Sequence, residues 1–285
     1  MIRLSAICLA AAPLALALSA CATTPASTGS SMCEKAGRIG LFDPARDLLV
    51  ANYDRKPDVD DLQAVAGLGS VLKDSASSCV DYLATAGAYG SQGGQFLPAA
   101  ELFTLAFGDR WQDAHANREG AIATLAARMR ETIAAGGRVW VAEAGQSDVT
   151  AAAVERLPRD MWTRVHVVQH SYWNESQSSD EAMQTVVYNT RYHRIQDGNF
   201  PDNGSPAFNT KDGSHWQALL SDPRIGPIWT EAKRLSDYHN SKAAYVNPAV
   251  AAGGLDFSDT VEIAYIFGFD DMAGVGEFVD RFARN

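Results

Sequence analysis

For its length of 285 residues the chain is short of positive charge: 24 Lys and Arg stand against 34 Asp and Glu, a formal net charge of -10. A nucleic-acid backbone is therefore disfavoured as partner, because phosphate binding needs a clustered positive face. Nucleotide and nucleophile signatures are missing too. There is no Gly-x-x-x-x-Gly-Lys-Ser/Thr loop, Gly87-x-x-Gly90 lacks dinucleotide spacing, and neither Gly67-Leu68-Gly69-Ser70 nor Gly253-Gly254 forms a nucleophile elbow. Nucleoside triphosphatase, dehydrogenase and serine hydrolase chemistries drop out on that ground. His193, His215 and His239 show no metal spacing with another His, which argues against zinc. Neither an internal repeat nor a composition break divides the chain, so one domain over residues 37–285 is expected. Hydrophobic residues at 46% and charged residues at 20% supply a sizeable core and exclude disorder.

Cysteine is scarce, with four in the chain, and their positions are informative. Arg3 precedes an Ala/Leu-rich stretch from Leu4 to Leu18, which closes on Leu18-Ser19-Ala20-Cys21. The run is short and broken by Pro13, which speaks against a transmembrane anchor. The segment resembles the lipobox of bacterial lipoproteins. That resemblance implies a signal peptide over residues 1–20, lipid on Cys21, a polar tether over 21–36, and a place in the bacterial cell envelope, on the periplasmic side or the cell surface, with the membrane as partner through the anchor. An ordinary secretory signal ending at Ala20 is the alternative. Cys8 leaves with the signal, so Cys33 and Cys79 remain. In an oxidising envelope they are expected to form a disulfide, against the alternative of two unpaired small hydrophobes.

Strand-like and helix-like periods alternate along the mature chain. Asp47 to Tyr53, Val80 to Thr85, Arg138 to Ala142 and Arg164 to Val168 are short apolar runs of strand length. Between them Leu62 to Leu72, Asn117 to Ala135 and about Val149 to Leu157 carry helical spacing, and Gly136-Gly137 ends the second. Strands without alternating polarity, separated by helices, predict an α/β fold: a Rossmann-like, mostly parallel sheet with helices on both faces. Such sheets bind ligands in the loops at the carboxyl ends of their strands.

The loop after the first strand holds four carboxylates within eight residues: Asp54, Asp58, Asp60 and Asp61. Crowding of that kind raises the cost of ionisation unless a cation neutralises it. Oxygen donors without cysteine favour Ca²⁺ or Mg²⁺. Capping of the following helix is the alternative, although it accounts for only one or two of the acids. The spacing does not fit an EF-hand.

Strand, Asp-x-Asp, turn, Asp-Asp and helix is also the N-terminal pattern of the nucleoside hydrolase family, and this stretch resembles it. Asn52 stands for the first Asp, Asp54 for the second, and Asp60-Asp61 for the pair, across a longer turn that reads Arg-Lys-Pro-Asp-Val. Asp259, in Leu255-Asp256-Phe257-Ser258-Asp259-Thr260, is similar to the family's late calcium ligand, with Ser258 where a His is common. The resemblance implies a divergent, nucleoside hydrolase-like protein. In it Ca²⁺ is held by Asp54, Asp60, Asp61 and Asp259, with a carbonyl from the Gly145-Gln146-Ser147 loop, and Asp54 is the general base in attack of water on the anomeric carbon of an N-riboside or related glycoside. A non-catalytic lipoprotein that binds a sugar or nucleoside through the same metal is the alternative.

Further candidates lie in the other strand-end loops. His170 is placed to protonate a leaving group, Asn174 and Glu175 to hold hydroxyls, and Tyr172 and Trp173 to stack on a ring, each with packing or helix capping as its plainer role. Glu143 and Gln146 are placed to reach the site, and Ser147 or Asp148 to cap the next helix. His166, inside an apolar strand, reads as structural. The polar, turn-rich stretch from Asn189 to Gly204 is expected to form a lid, and His215 to about His239 a helical segment.

Overall fold

A computed structural model describes Cys33 and residues 36–242, 245–269 and 271–284. The expected signal peptide, Cys21 and most of the tether lie outside the described residues.

The chain runs β1 (Leu48–Tyr53), α1 (Asp60–Leu72), β2 (Asp81–Ala86), α2 (Ala100–Phe107), β3 (Trp111–Asp113), α3 (Arg118–Ala134), β4 (Val139–Ala144), α4 (Asp148–Val154) and β5 (Val165–Gln169). It continues through α5 (Tyr172–Gln177), α6 (Asp180–Asn189), β6 (Arg191–Arg194), β7 (Asn209–Thr210), α7 (Trp216–Ser221), α8 (Gly226–Asn240), α9 (Pro248–Ala251), β8 (Leu255–Asp256), α10 (Val261–Phe267) and α11 (Val275–Phe282). Six strands form an all-parallel sheet in the order β3-β2-β1-β4-β5-β6. The expected α/β fold is present.

Burial on both faces explains the unbroken apolar runs. Leu49, Ala51 and Tyr53 of β1 point into a core shared with α1, α2, α8, α10 and α11, whereas Leu48 and Val50 point into a second core under α3, α4 and α6. β1 and β4 occupy the middle of the sheet and are buried along their whole length. Helix α3 starts at Asn117, whose side chain accepts the Gly120 N–H, and ends at Gly136 in the left-handed region. Among the described residues no helix is long and apolar enough to cross a membrane.

Two expectations change, and one strand was not foreseen. The segment 189–204 is not wholly a lid, because Arg191–Arg194 forms the edge strand β6, parallel to β5. Its rings hold it there: His193 stacks beyond His166, which stacks on Trp140 with 4.2 Å between centroids. The short edge strand β3 also had no apolar run to announce it. The helical stretch from His215 also breaks, between α7 and α8 at Asp222-Pro223, where Asp222 Oδ1 accepts the Arg224 N–H at 2.7 Å instead of letting a helix continue.

Cys33 and Cys79 are joined by a disulfide that ties the start of the described chain to the entry of β2, with a sequence separation of 46. Closing a loop of that size in the unfolded chain is worth about 4 kcal/mol. Cys79→Ser is therefore expected to lower Tm by roughly 10 °C for a domain of this size, read by thermal unfolding. A shift below about 2 °C would contradict the assignment of that stabilisation.

Candidate functional site

Past Tyr53 the chain leaves the sheet through Asp54 and Arg55, the latter in the left-handed region at φ 57°, and enters α1 at Asp60. The N-cap of α1 is Val59, and no side chain caps the helix. Capping therefore does not account for the aspartates. Asp61 Oδ2 accepts the Arg55 N–H, while Asp61 Oδ1 is buried with no partner. Asp60 Oδ1 accepts the N–H of Asp61 at 2.9 Å.

The C-terminal acids are brought alongside by α1 itself. Gln63 accepts the Asp256 N–H at 2.9 Å and, through its other end, donates to Ser236 on α8 at 3.1 Å. Gly67 lets the helix sit against the turn that carries Asp259, since a Cβ there would lie 2.6 Å from Thr260 Oγ1. Asn247 Nδ2 donates to Asp256 Oδ2 at 2.9 Å and reaches Asp58 Oδ2 at 3.4 Å, linking the two acidic junctions.

Together they floor a cavity of about 720 Å³ at the carboxyl ends of the strands. Asp54, Asp58, Asp60, Asp256 and Asp259 line it, together with His170 and Asn174. Trp173, Phe200 and Tyr245 stand at its mouth, each more than half exposed. Asp197 and Asn199 come from the part of the 189–204 segment that follows β6, so that portion does lie over the strand ends.

Burial, and then mutual repulsion, push the carboxyls upward. Asp60, Asp61 and Asp259 lie well above the usual carboxylate range, first by desolvation and then by the neighbouring acids, partly offset at Asp259 by His170. Desolvation raises Asp54 to about 6 despite hydrogen bonding with Asp61, the Lys56 N–H and Gln146. Asp256 rises to about 6 for the same first cause. At His170 burial works against the charged ring, but Glu262 and then Asp259 outweigh it and hold the ring up at about 10. Its Nε2 stands 3.4 Å from Asp259 Oδ1. Among the described residues His170 is the cationic group in ion-pair contact with this cluster.

The donors fit a hard divalent cation: they are carboxylate oxygens of one sign, buried at Asp54, Asp61, Asp256 and Asp259, and Asp61 Oδ1 meets no hydrogen-bond donor. Among the described residues no three Asp, Glu, His or Cys side chains already close into a cage.

Of the residues expected from sequence, Asp54, Asp60, Asp259, His170, Trp173 and Asn174 line one cavity, and Asp61 lies directly behind. Three do not reach it. Gln146 supports Asp54 from behind, donating to Oδ2 at 2.6 Å. Glu143 is fully buried against Asn52 Nδ2 (3.0 Å) and the Thr150 hydroxyl. Glu175 is taken by Arg194 at 2.5 and 2.8 Å and by the Tyr192 hydroxyl at 2.8 Å. The Gly145 carbonyl accepts from Gln169 Nε2 at 2.7 Å, so it is engaged elsewhere. Nor do Ser147 and Asp148 cap α4. Ser147 Oγ donates to Gln169 Oε1 at 3.2 Å, and Asp148 Oδ2 accepts the Ser179 N–H at 3.2 Å.

Burial raises Glu143 to about 8 against hydrogen bonds that favour its charge. A folded-state value above the unfolded one gives stability that is complete below about pH 4.5 and is lost as pH rises through about 8. Glu143→Gln is thus expected to match the wild type near pH 4 and to exceed it at pH 8 by on the order of 2–4 kcal/mol. Denaturant unfolding at the two pH values checks this, and an equal difference at both would contradict it.

Sequence reasoning missed Glu262, Asn247, Asp197 and Asn199. Glu262 carried the one available signal, a lone acid within the apolar run Val261–Phe267. No protein-family model matches the chain, and no curated protein matches it significantly.

Proposed function

We propose that the protein is a divergent, nucleoside hydrolase-like enzyme that uses calcium to hydrolyse an N-riboside or related glycoside at the bacterial cell envelope, held there by lipid on Cys21. The observation that carries this reading is the convergence of Asp54, Asp60, Asp61 and Asp259 at one strand-end cavity, with a buried oxygen of Asp61 left unpartnered. The Cys33–Cys79 disulfide supports an oxidising compartment.

Calcium, when bound, supplies the positive charge that offsets these carboxylates and makes a water a better nucleophile. The chain's own groups do the rest. Asp54 accepts the proton of the attacking water, with Gln146 Nε2 and the Lys56 N–H fixing its two oxygens. His170, which also lines the cavity, donates to the departing group through Nε2. Asn174 binds sugar hydroxyls, and Trp173 at the mouth stacks on a ring.

One observation favours the binding-only alternative. Ser258, which occupies the place of a substrate-contacting His in the resemblance, is fully buried with its hydroxyl unpartnered and lies outside the cavity wall. Reducing-sugar release from a panel of nucleosides and glycosides, with calcium and after chelation, separates the two. Calcium-dependent release supports hydrolysis, chelator-sensitive binding without release supports the alternative, and neither result leaves both readings wrong.

A further inference from the structure

Glu262 is a carboxylate on an otherwise apolar helix, and its surroundings are unusual. It lies in the first turn of α10, is fully buried, and reaches across to the residue that follows β5. One of its oxygens, Oε1, faces both the backbone N–H of His170, at 3.0 Å, and the ring Nδ1 of the same residue, at 2.5 Å. Its other oxygen, Oε2, is buried with no partner. Burying a carboxylate is costly unless its bonds are good, and a plain strand-end anchor needs only a neutral acceptor.

The double contact fixes more than position. An ionised carboxylate oxygen only accepts, so the ring nitrogen beside Oε1 must be a donor, and Nδ1 carries a proton. With Nδ1 committed, the plane of the imidazole is set and Nε2 is turned toward Asp259 Oδ1, 3.4 Å away, and the cavity. Rotation of the ring would break the 2.5 Å contact and leave the buried Nδ1 group without that partner.

We infer that Glu262 is a positioning residue for His170: it accepts the Nδ1 proton and fixes the ring, so that the Nε2–H is presented to the substrate. This rests on the role of His170 in the proposed hydrolysis. The geometric claim itself is independent of turnover.

The test uses the full mature chain labelled with ¹⁵N-histidine. The protein has six histidines, and His170→Asn identifies the resonance that belongs to position 170. In the wild type, His170 is expected to show an exchange-protected, strongly downfield Nδ1 proton. Glu262→Ala loses that signal. Glu262→Gln keeps a proton on Nδ1 but moves it upfield, because a neutral acceptor makes a weaker hydrogen bond than a carboxylate.

On a substrate found active in the panel, Glu262→Ala is expected to lower kcat about 10- to 100-fold, the usual range for an outer partner that orients a histidine, with KM little changed and partial recovery in Glu262→Gln. A Nδ1 signal that is absent from the wild type, or unshifted in Glu262→Gln, would overturn the inference even if Glu262→Ala does not fold. The expected spectra with no release of sugar by the wild type would leave the positioning intact and refute the hydrolytic reading instead.

Discussion

Asp61→Asn and Asp259→Asn are each expected to abolish calcium binding while leaving the fold intact. In the wild type, calcium at 100 times its Kd should stabilise the folded chain by about 2.7 kcal/mol, which for a domain of this size raises Tm by roughly 5–10 °C. In either variant that rise should vanish. Asp61 is decisive because its Oδ1 has no protein partner and its Oδ2 accepts from the Arg55 N–H, a bond the asparagine carbonyl oxygen can also accept. Asp259 is decisive because it joins the C-terminal turn to the same cluster and balances His170.

Without calcium the sign reverses. The folded-state carboxyl values of Asp54 and Asp256, about 6 each, lie above the ordinary 3.8, so their contribution is complete at low pH and is lost as pH rises through about 6. Chelated wild type should therefore be less stable at pH 7.5 than at pH 5, and removing one carboxylate should raise its Tm at the higher pH. A calcium-induced shift of equal size in wild type and both variants would remove these residues from the site.

Asp54→Asn is expected to stop hydrolysis, lowering kcat about 10²- to 10⁴-fold, the usual contribution of a positioned base. Structural damage should be small. The asparagine oxygen can still accept the Lys56 N–H, at 2.9 Å in the wild type, and its amide can meet Gln146 if that side chain turns its oxygen inward. That turn sacrifices the bond Gln146 Oε1 accepts from the Gly90 N–H at 3.1 Å, a loss of about 1 kcal/mol. Calcium affinity should fall less than in Asp61→Asn, because both Asp54 oxygens already accept protein hydrogen bonds whereas Asp61 Oδ1 accepts none. Kinetics on the active substrate, alongside circular dichroism, separate a lost base from a lost fold. Unchanged kcat would assign the proton transfer elsewhere.

The central strands were legible because burial on both faces leaves no freedom in their composition. Leu48 to Ala51 and Val139 to Ala142 have to be apolar on every residue. β3 and β6 were not, since an edge strand of three or four residues such as Arg191–Arg194 can be polar, and its place is set by a backbone ladder and by rings from Trp140 and His166. The misreading of Glu175 follows from that miss. Only as a strand does Arg194 come to lie against it.

At the site, Asp54, Asp60, Asp61 and Asp259 could be read locally, because each stands at a strand-to-helix junction. What they lean on could not. Gln63, Asn247 and Glu262 act on residues between 9 and 193 positions away, and no local period marks them. Glu143 shows the opposite error. It stands at a strand end, but the pleat turns it to the face covered by α4, where Asn52 and Thr150 hold it away from the cavity.

The most direct measurement is isothermal titration of calcium into chelator-stripped mature protein near pH 7. Saturable binding of a single ion per chain, lost in Asp61→Asn, is the predicted result. The absence of saturable binding by wild-type protein that is folded by circular dichroism would contradict the calcium site and the hydrolytic chemistry built on it.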